Sequence, residues 1–205
     1  MSYLGEPDLR RLTALRAADG LLEARGLDGL TIRAVLDATG LARRAFYDMF
    51  ASKDDLVLGL FEHTIAEAAM LLEREGATLA GPVERLRLIV FSIVSGQTGR
   101  RPGVHDRRSA AFSREHLRLA EARPEELQRA IAPLVMLIAQ HIGDGVAEGR
   151  FRAASPIRAA MFVYNLISST VHTETLRLAA GEMLPEARGA LAEDLWDFCQ
   201  RALAA

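Results

Sequence analysis

Apolar residues recur at three- and four-residue spacing along almost the whole chain, and no alternating strand pattern persists. Asp8 is placed to cap a first helix whose apolar face is Leu12, Leu15, Ala18 and Leu22. That helix is expected to end at Gly26, because glycine tolerates the left-handed conformation after a helix. Thr31 then caps a short second helix bearing Ile32, Val35 and Leu36, closed by Gly40. A third short helix, about 43–50, turns Phe46, Met49 and Phe50 inward. Ser52 caps a long fourth helix starting at Lys53, and Asp54 and Asp55 suit its first turn.

Proline and glycine punctuate the remainder. Gly81-Pro82 opens a fifth helix to about Gly96, and residues 99–108 form a polar, turn-rich loop. A sixth helix is predicted from about Val104 to Ala122. Pro124 opens a seventh, ending near Gly149. Ser155-Pro156 starts an eighth to about Gly181, and Pro185 begins a ninth carrying Leu191, Leu195, Trp196 and Phe198. The predicted class is all-α, with about nine helices. A three-helix helix-turn-helix domain over residues 1–53 precedes an antiparallel helical bundle over 54–205.

Composition agrees with this picture. The 205 residues are 50% apolar and 25% charged, ordinary for a globular protein that buries a real core. A net charge of −2 excludes a polybasic nucleic-acid binder, although a DNA-reading face is a local feature. Residues 1–53 are near neutral: Arg10, Arg11, Arg16, Arg25, Arg33, Arg43, Arg44 and Lys53 oppose Glu6, Asp8, Asp19, Glu23, Asp28, Asp37 and Asp48. Cys199 is the single cysteine, so no internal disulfide forms, which fits a reducing cytoplasm. The N-terminus lacks a signal-type apolar run, and the most apolar stretch, Ile131 to Ile142, is too short to span a bilayer. The expected location is cytoplasmic, with no membrane partner.

The informative stretch runs from Thr31 to Leu56. Two short helices meet across the tight turn Ala38-Thr39-Gly40-Leu41, with Leu41 tucked between them. This is helix-turn-helix geometry, in which the second helix presents its N-terminal residues to the major groove. With Phe46, Met49 and Phe50 committed to the core, Arg43, Arg44 and Tyr47 remain for DNA. The pattern Thr31, Arg33, Val35, Gly40, Leu41, Phe46, Tyr47, Phe50, Ser52, Lys53 and Leu56 resembles the TetR family of transcriptional regulators. Residues 17–26 resemble that family's first helix. The detailed match covers about the first sixty residues; beyond them only the helix count and Glu148-Gly-Arg-Phe-Arg152 before a proline-started helix are similar.

The resemblance implies that Thr31, at a helix N-terminus, can hold a phosphate. It makes Tyr47 and Lys53 phosphate contacts and places Arg43 where a guanidinium reaches a base edge. Lys53 is the chain's single lysine. Arg33 and Arg44 complete the candidate DNA-binding set. Ala42, Arg44, Ala45 and Leu36 depart from the family's usual residues, which leaves backbone contacts and operator sequence open. Arg10 and Arg11 either reach phosphate or are simply solvated.

For the larger half, the resemblance implies a four-helix dimer interface from helices at about 156–180 and 186–203. Phe162, Leu166, Leu191, Leu195, Trp196 and Phe198 either contact a second chain or close the monomer core. A homodimer would read an imperfect palindrome. A mostly apolar effector pocket is expected among the central helices. Its candidate lining is Phe61, Phe91, Phe112, Met136, Gln140, Met161, Tyr164, Asn165 and His172, with His63 and His116 weaker candidates. Gly59, inside the fourth helix, permits close packing or bending. The basic residues Arg100, Arg101, Arg107 and Arg108 either approach DNA or stay solvated.

The expected function is a repressor that binds palindromic double-stranded operator DNA and is released by a small lipophilic or aromatic effector. An activator, or a ligand-independent DNA-binding regulator of the same fold, is the alternative. No phosphate loop, nucleophile elbow or H-E-x-x-H motif is present; Cys199 sits on an apolar helix, and nothing completes a metal set around His141 and Asp144. No enzyme activity, cofactor or metal is expected.

Overall fold

A computed structural model of the chain describes residues 6–95, 106–179 and 187–205. Those residues form α1 (Glu6–Gly29), α2 (Ile32–Thr39), α3 (Arg43–Met49), α4 (Lys53–Gly76), α5 (Pro82–Ser95), α6 (Asp106–Ala122), α7 (Pro124–Ala147), α8 (Pro156–Ala179) and α9 (Ala187–Leu203). Among them there is no strand, only an isolated bridge between Phe151 and Ala204. The expected all-α architecture and helix count hold. Residues 99–105 of the expected basic loop, Gly181 and Pro185 lie outside the described residues; Arg107 and Arg108 fall in the first turn of α6.

Two boundaries differ from expectation. The helical path breaks at Gly26 (φ 67°) as predicted, but helical backbone resumes to Gly29. α3 stops at Met49, because Phe50 leaves it in extended conformation to enter the next turn. The apolar stretch 131–142 lies within a 24-residue helix, α7, that is long and apolar enough by composition to cross a membrane. More than half of that helix's most apolar window is buried inside the protein, as a core helix requires.

Two apolar clusters organise the chain. The smaller joins Leu15, Leu22, Val35, Phe46 and Phe50 to Leu56, Val57 and Leu60 of α4 and Ala111 of α6. The larger fills the bundle, where α7 packs on α4 and α8, and α5 packs on α9. α4 therefore supplies both cores: its first two turns complete the small one, while Leu58, Phe61, Ala69 and Leu72 face the large one. Gly59 allows a close approach at this junction. A Cβ there would lie 2.9 Å from Nη2 of Arg11 and 3.1 Å from the Phe50 ring.

Candidate DNA-reading surface and central cavity

The turn between α2 and α3 is built from local bonds. Thr31 Oγ1 accepts from the Ala34 N–H at 3.1 Å and caps α2. Gly40 adopts φ 69°, and its N–H closes on the Leu36 carbonyl at 2.8 Å. Such a left-handed φ costs a side-chain-bearing residue roughly 1–2 kcal/mol, so glycine suits the position. Thr39 Oγ1 donates to the Val35 carbonyl at 2.7 Å and accepts from the Leu41 N–H at 3.3 Å. Leu41 packs against the small core. Phe46 and Phe50, with ring centroids 5.4 Å apart, anchor the inner side of α3.

The outer side of α3 is polar. Arg43 and Arg44 are exposed, and Tyr47 keeps 43% of its surface accessible. Tyr47 stands edge-on to Phe46 at 5.6 Å, and the Arg43 guanidinium lies 6.0 Å from its ring centre. Arg33 is exposed on α2, 3.8 Å from the Asp37 carboxylate. Lys53 is half-buried, and its Nζ donates to the Leu27 carbonyl at 3.0 Å, just after the break in α1. An ammonium has three donors, so two are left for another acceptor. Arg10 pairs with Glu6. Arg11 is half-buried, and its guanidinium stacks 4.7 Å from the Phe50 ring centre.

A cavity of about 190 Å³ lies in the bundle, lined from α4, α5, α6, α7, α8 and α9. Of the nine residues expected to line a pocket, Phe61, Phe112, Tyr164 and His172 meet there. Met136 and Gln140 instead face a separate outer groove between α4 and α7. Asn165 is exposed, because it sits about 100° around α8 from Tyr164. Phe91 stacks against Arg87 at 4.1 Å, away from the cavity, and Met161 packs on the large core. His63 pairs with Glu67 at 3.3 Å on the outside of α4.

His116 joins the cavity, with Ser113, Ser168, Glu174 and Thr175, which sequence reasoning missed. The signal was present: Tyr164, Ser168 and His172 recur every four residues and so share one face of α8. Phe61 and Phe112 stack at 5.7 Å, and His116 stands between Phe61 and Tyr164 at 6.1 and 5.8 Å. Ser113 Oγ lies 2.7 Å from His172 Nδ1, and Tyr164 Oη lies 3.4 Å from His116 Nδ1. Burial, and then the neighbouring His172, lower the pKa of His116 and favour its neutral form. Burial pushes the Tyr164 phenol up to about 12, against an opposing hydrogen bond with Ser168.

α4 and α6 connect this cavity to the end of the molecule that carries α2 and α3. Below its cavity residues, α6 sends Arg118 to Asp54 at 3.1 Å, and Arg123, just past α6, reaches Asp55 at 2.9 Å. Both carboxylates lie in the first turn of α4, beside Lys53. Ser52 Oγ accepts from the Asp55 N–H at 3.1 Å, so cap and ion pairs converge on one helix end. Hydrogen bonds from Arg123 and then Ser52 hold the Asp55 carboxyl below the usual carboxylate range.

No curated protein matches the chain in sequence. The family described as bacterial regulatory proteins, tetR family, matches over residues 14–60. Solved structures match over nearly the full length. A TetR-family transcriptional regulator from Cytophaga hutchinsonii superposes with TM-score 0.70 at 14% identity, covering 100% of this chain and 99% of that one. The transcriptional regulator FadR from Bacillus subtilis, solved in complex with stearoyl-CoA, gives TM-score 0.66 at 17% identity over 92% and 96% of the two chains. A Saccharomonospora viridis protein solved in complex with choline gives 0.68 at 20% identity over 96% and 98%. At these identities the full-length likeness is one of fold. Residues 14–60 thus match the tetR family of bacterial regulatory proteins, and the chain as a whole shares its helical fold with a transcriptional regulator of that family.

Proposed function

We propose that the protein is a cytoplasmic transcriptional repressor that binds a palindromic operator as a homodimer and is released by a small molecule in its central cavity. Residues 1–53 are the DNA-reading domain, and residues 54–205 sense the ligand and dimerise. The observation that carries this reading is the partition of α3, with Phe46 and Phe50 inside and Arg43, Arg44 and Tyr47 outside, beside the Thr31 cap. Thr31, Tyr47 and Lys53 hold phosphates, Arg43 and Arg44 reach base edges, and Arg33 supports the approach. Phe61, Phe112, His116, Tyr164 and His172 contact the effector. We assign the protein no catalytic activity, in keeping with neighbours that are regulators.

Release follows from the shared helices. α4 carries Phe61 at the cavity and Lys53 at the DNA end, and α6 grips the same end through Arg118. A ligand that prefers one placement of α4 and α6 shifts the separation of the two recognition helices, provided its affinity differs between the two states.

The test is fluorescence anisotropy with DNA from the gene's own upstream region at two salt concentrations. Wild type is expected to bind saturably with a steep salt dependence, and Tyr47→Ala/Lys53→Ala to lose binding and flatten the slope by about two phosphate contacts. Should selective binding be missing there and in a genome-wide selection, the regulator reading fails.

A further inference from the structure

We propose that the central cavity takes a small organic cation, an ammonium carrying one ring or a short alkyl group, with Glu174 as its counter-charge. This rests on the reading of that cavity as the effector site. The size limit comes first. At about 190 Å³ the space is below the common range for ligand pockets, ~300–1,000 Å³. It is slightly larger than an apolar cavity of ~150 Å³ that holds benzene. One ring with a short substituent fills it.

The walls set the chemistry. Phe61 and Phe112 form a stacked slab, continued by His116 and Tyr164. Ring faces of this kind attract a cation. The polar groups are mostly spoken for: Ser113 with His172, Tyr164 with His116, and Thr175 Oγ1 with the Val171 carbonyl at 2.7 Å. Glu174 is the exception. Its Oε1 meets Arg177 at 3.1 Å, whereas its Oε2 is buried and has no hydrogen-bond partner among the described residues. A buried acceptor without a donor is costly, and a ligand N–H removes that cost. Arg177 is half-exposed, so solvent screens its hold on the carboxylate.

An anionic ligand fits worse. It would add negative charge beside Glu174 and would call on the two imidazoles as cations. His116 is held neutral by its burial and by His172. A neutral ring-bearing alcohol offers a donor but no charge, and it serves as the control.

The experiment is isothermal titration of the full-length protein at neutral pH with benzylamine, benzyl alcohol and benzoate, which share one ring and differ in charge. Benzylamine is expected to bind once per chain and about tenfold more tightly than benzyl alcohol, with benzoate weakest. Glu174→Gln should erase the preference for the amine over the alcohol, with the alcohol still bound. If the alcohol or the acid binds as tightly as the amine, or the preference survives Glu174→Gln, the cation assignment is overturned and the cavity stands as an effector site. If none of the three binds, the cavity reading falls with it.

Discussion

The side chains that hold α3 in place act through few atoms. Phe46 is fully buried and touches both Tyr47 and Phe50. Phe46→Ala is therefore expected to cost about 3–5 kcal/mol, read as a lower urea midpoint. Thr31→Ala removes one cap bond and should cost about 1 kcal/mol. The two substitutions separate packing from contact: if Thr31 also holds a phosphate, operator affinity falls further than the small loss of stability explains. An affinity unchanged by Thr31→Ala would limit that hydroxyl to capping.

At the scale of elements, α6 joins the small core, the cavity and the first turn of α4. Ala111 lies in the small core, Ser113 and His116 line the cavity, and Arg118 reaches Asp54. Arg118→Ala should leave operator affinity without effector within a few-fold of wild type and weaken its response to effector. Unaltered release would place the transmission in α4 alone. The Arg123–Asp55 pair adds a pH signature. The folded Asp55 carboxyl titrates below its ordinary range, so its contribution to stability is present above that range and lost as pH falls through the folded value. Asp55→Asn is expected to flatten the acid limb of stability against pH; an unchanged limb would show that other carboxylates govern it.

The whole molecule exposes an apolar face that a lone chain does not use. Phe162 on α8 and Phe198 on α9 remain 66% and 63% accessible and flank one groove, whereas Leu195 and Trp196 are buried in the monomer core. Of the six residues weighed for pairing, these two phenylalanines are free for a partner. Phe162→Arg/Phe198→Arg is expected to convert a dimer to a monomer in sedimentation equilibrium, and to weaken operator binding by more than tenfold as one half-site is lost. A double variant that stays dimeric would move the interface elsewhere.

Helix periodicity, caps and the α2–α3 turn are local properties, so the sequence by itself determined them. Thr31, Gly40 and Ser52 act within four residues of their own positions, and the three- and four-residue spacing of Phe46, Met49 and Phe50 decides which side of α3 faces inward. Which pocket residues meet was decided by the tertiary structure. Phe61, Phe112 and Tyr164 come from three helices whose rotation is set by packing, and a turn of about 100° per residue separates the buried Tyr164 from the exposed Asn165. The same holds for Lys53 and Arg11. Pattern alone marks them as cations on helices, but only the approach of α4 to α1 gives Lys53 the Leu27 carbonyl and seats Arg11 on Phe50.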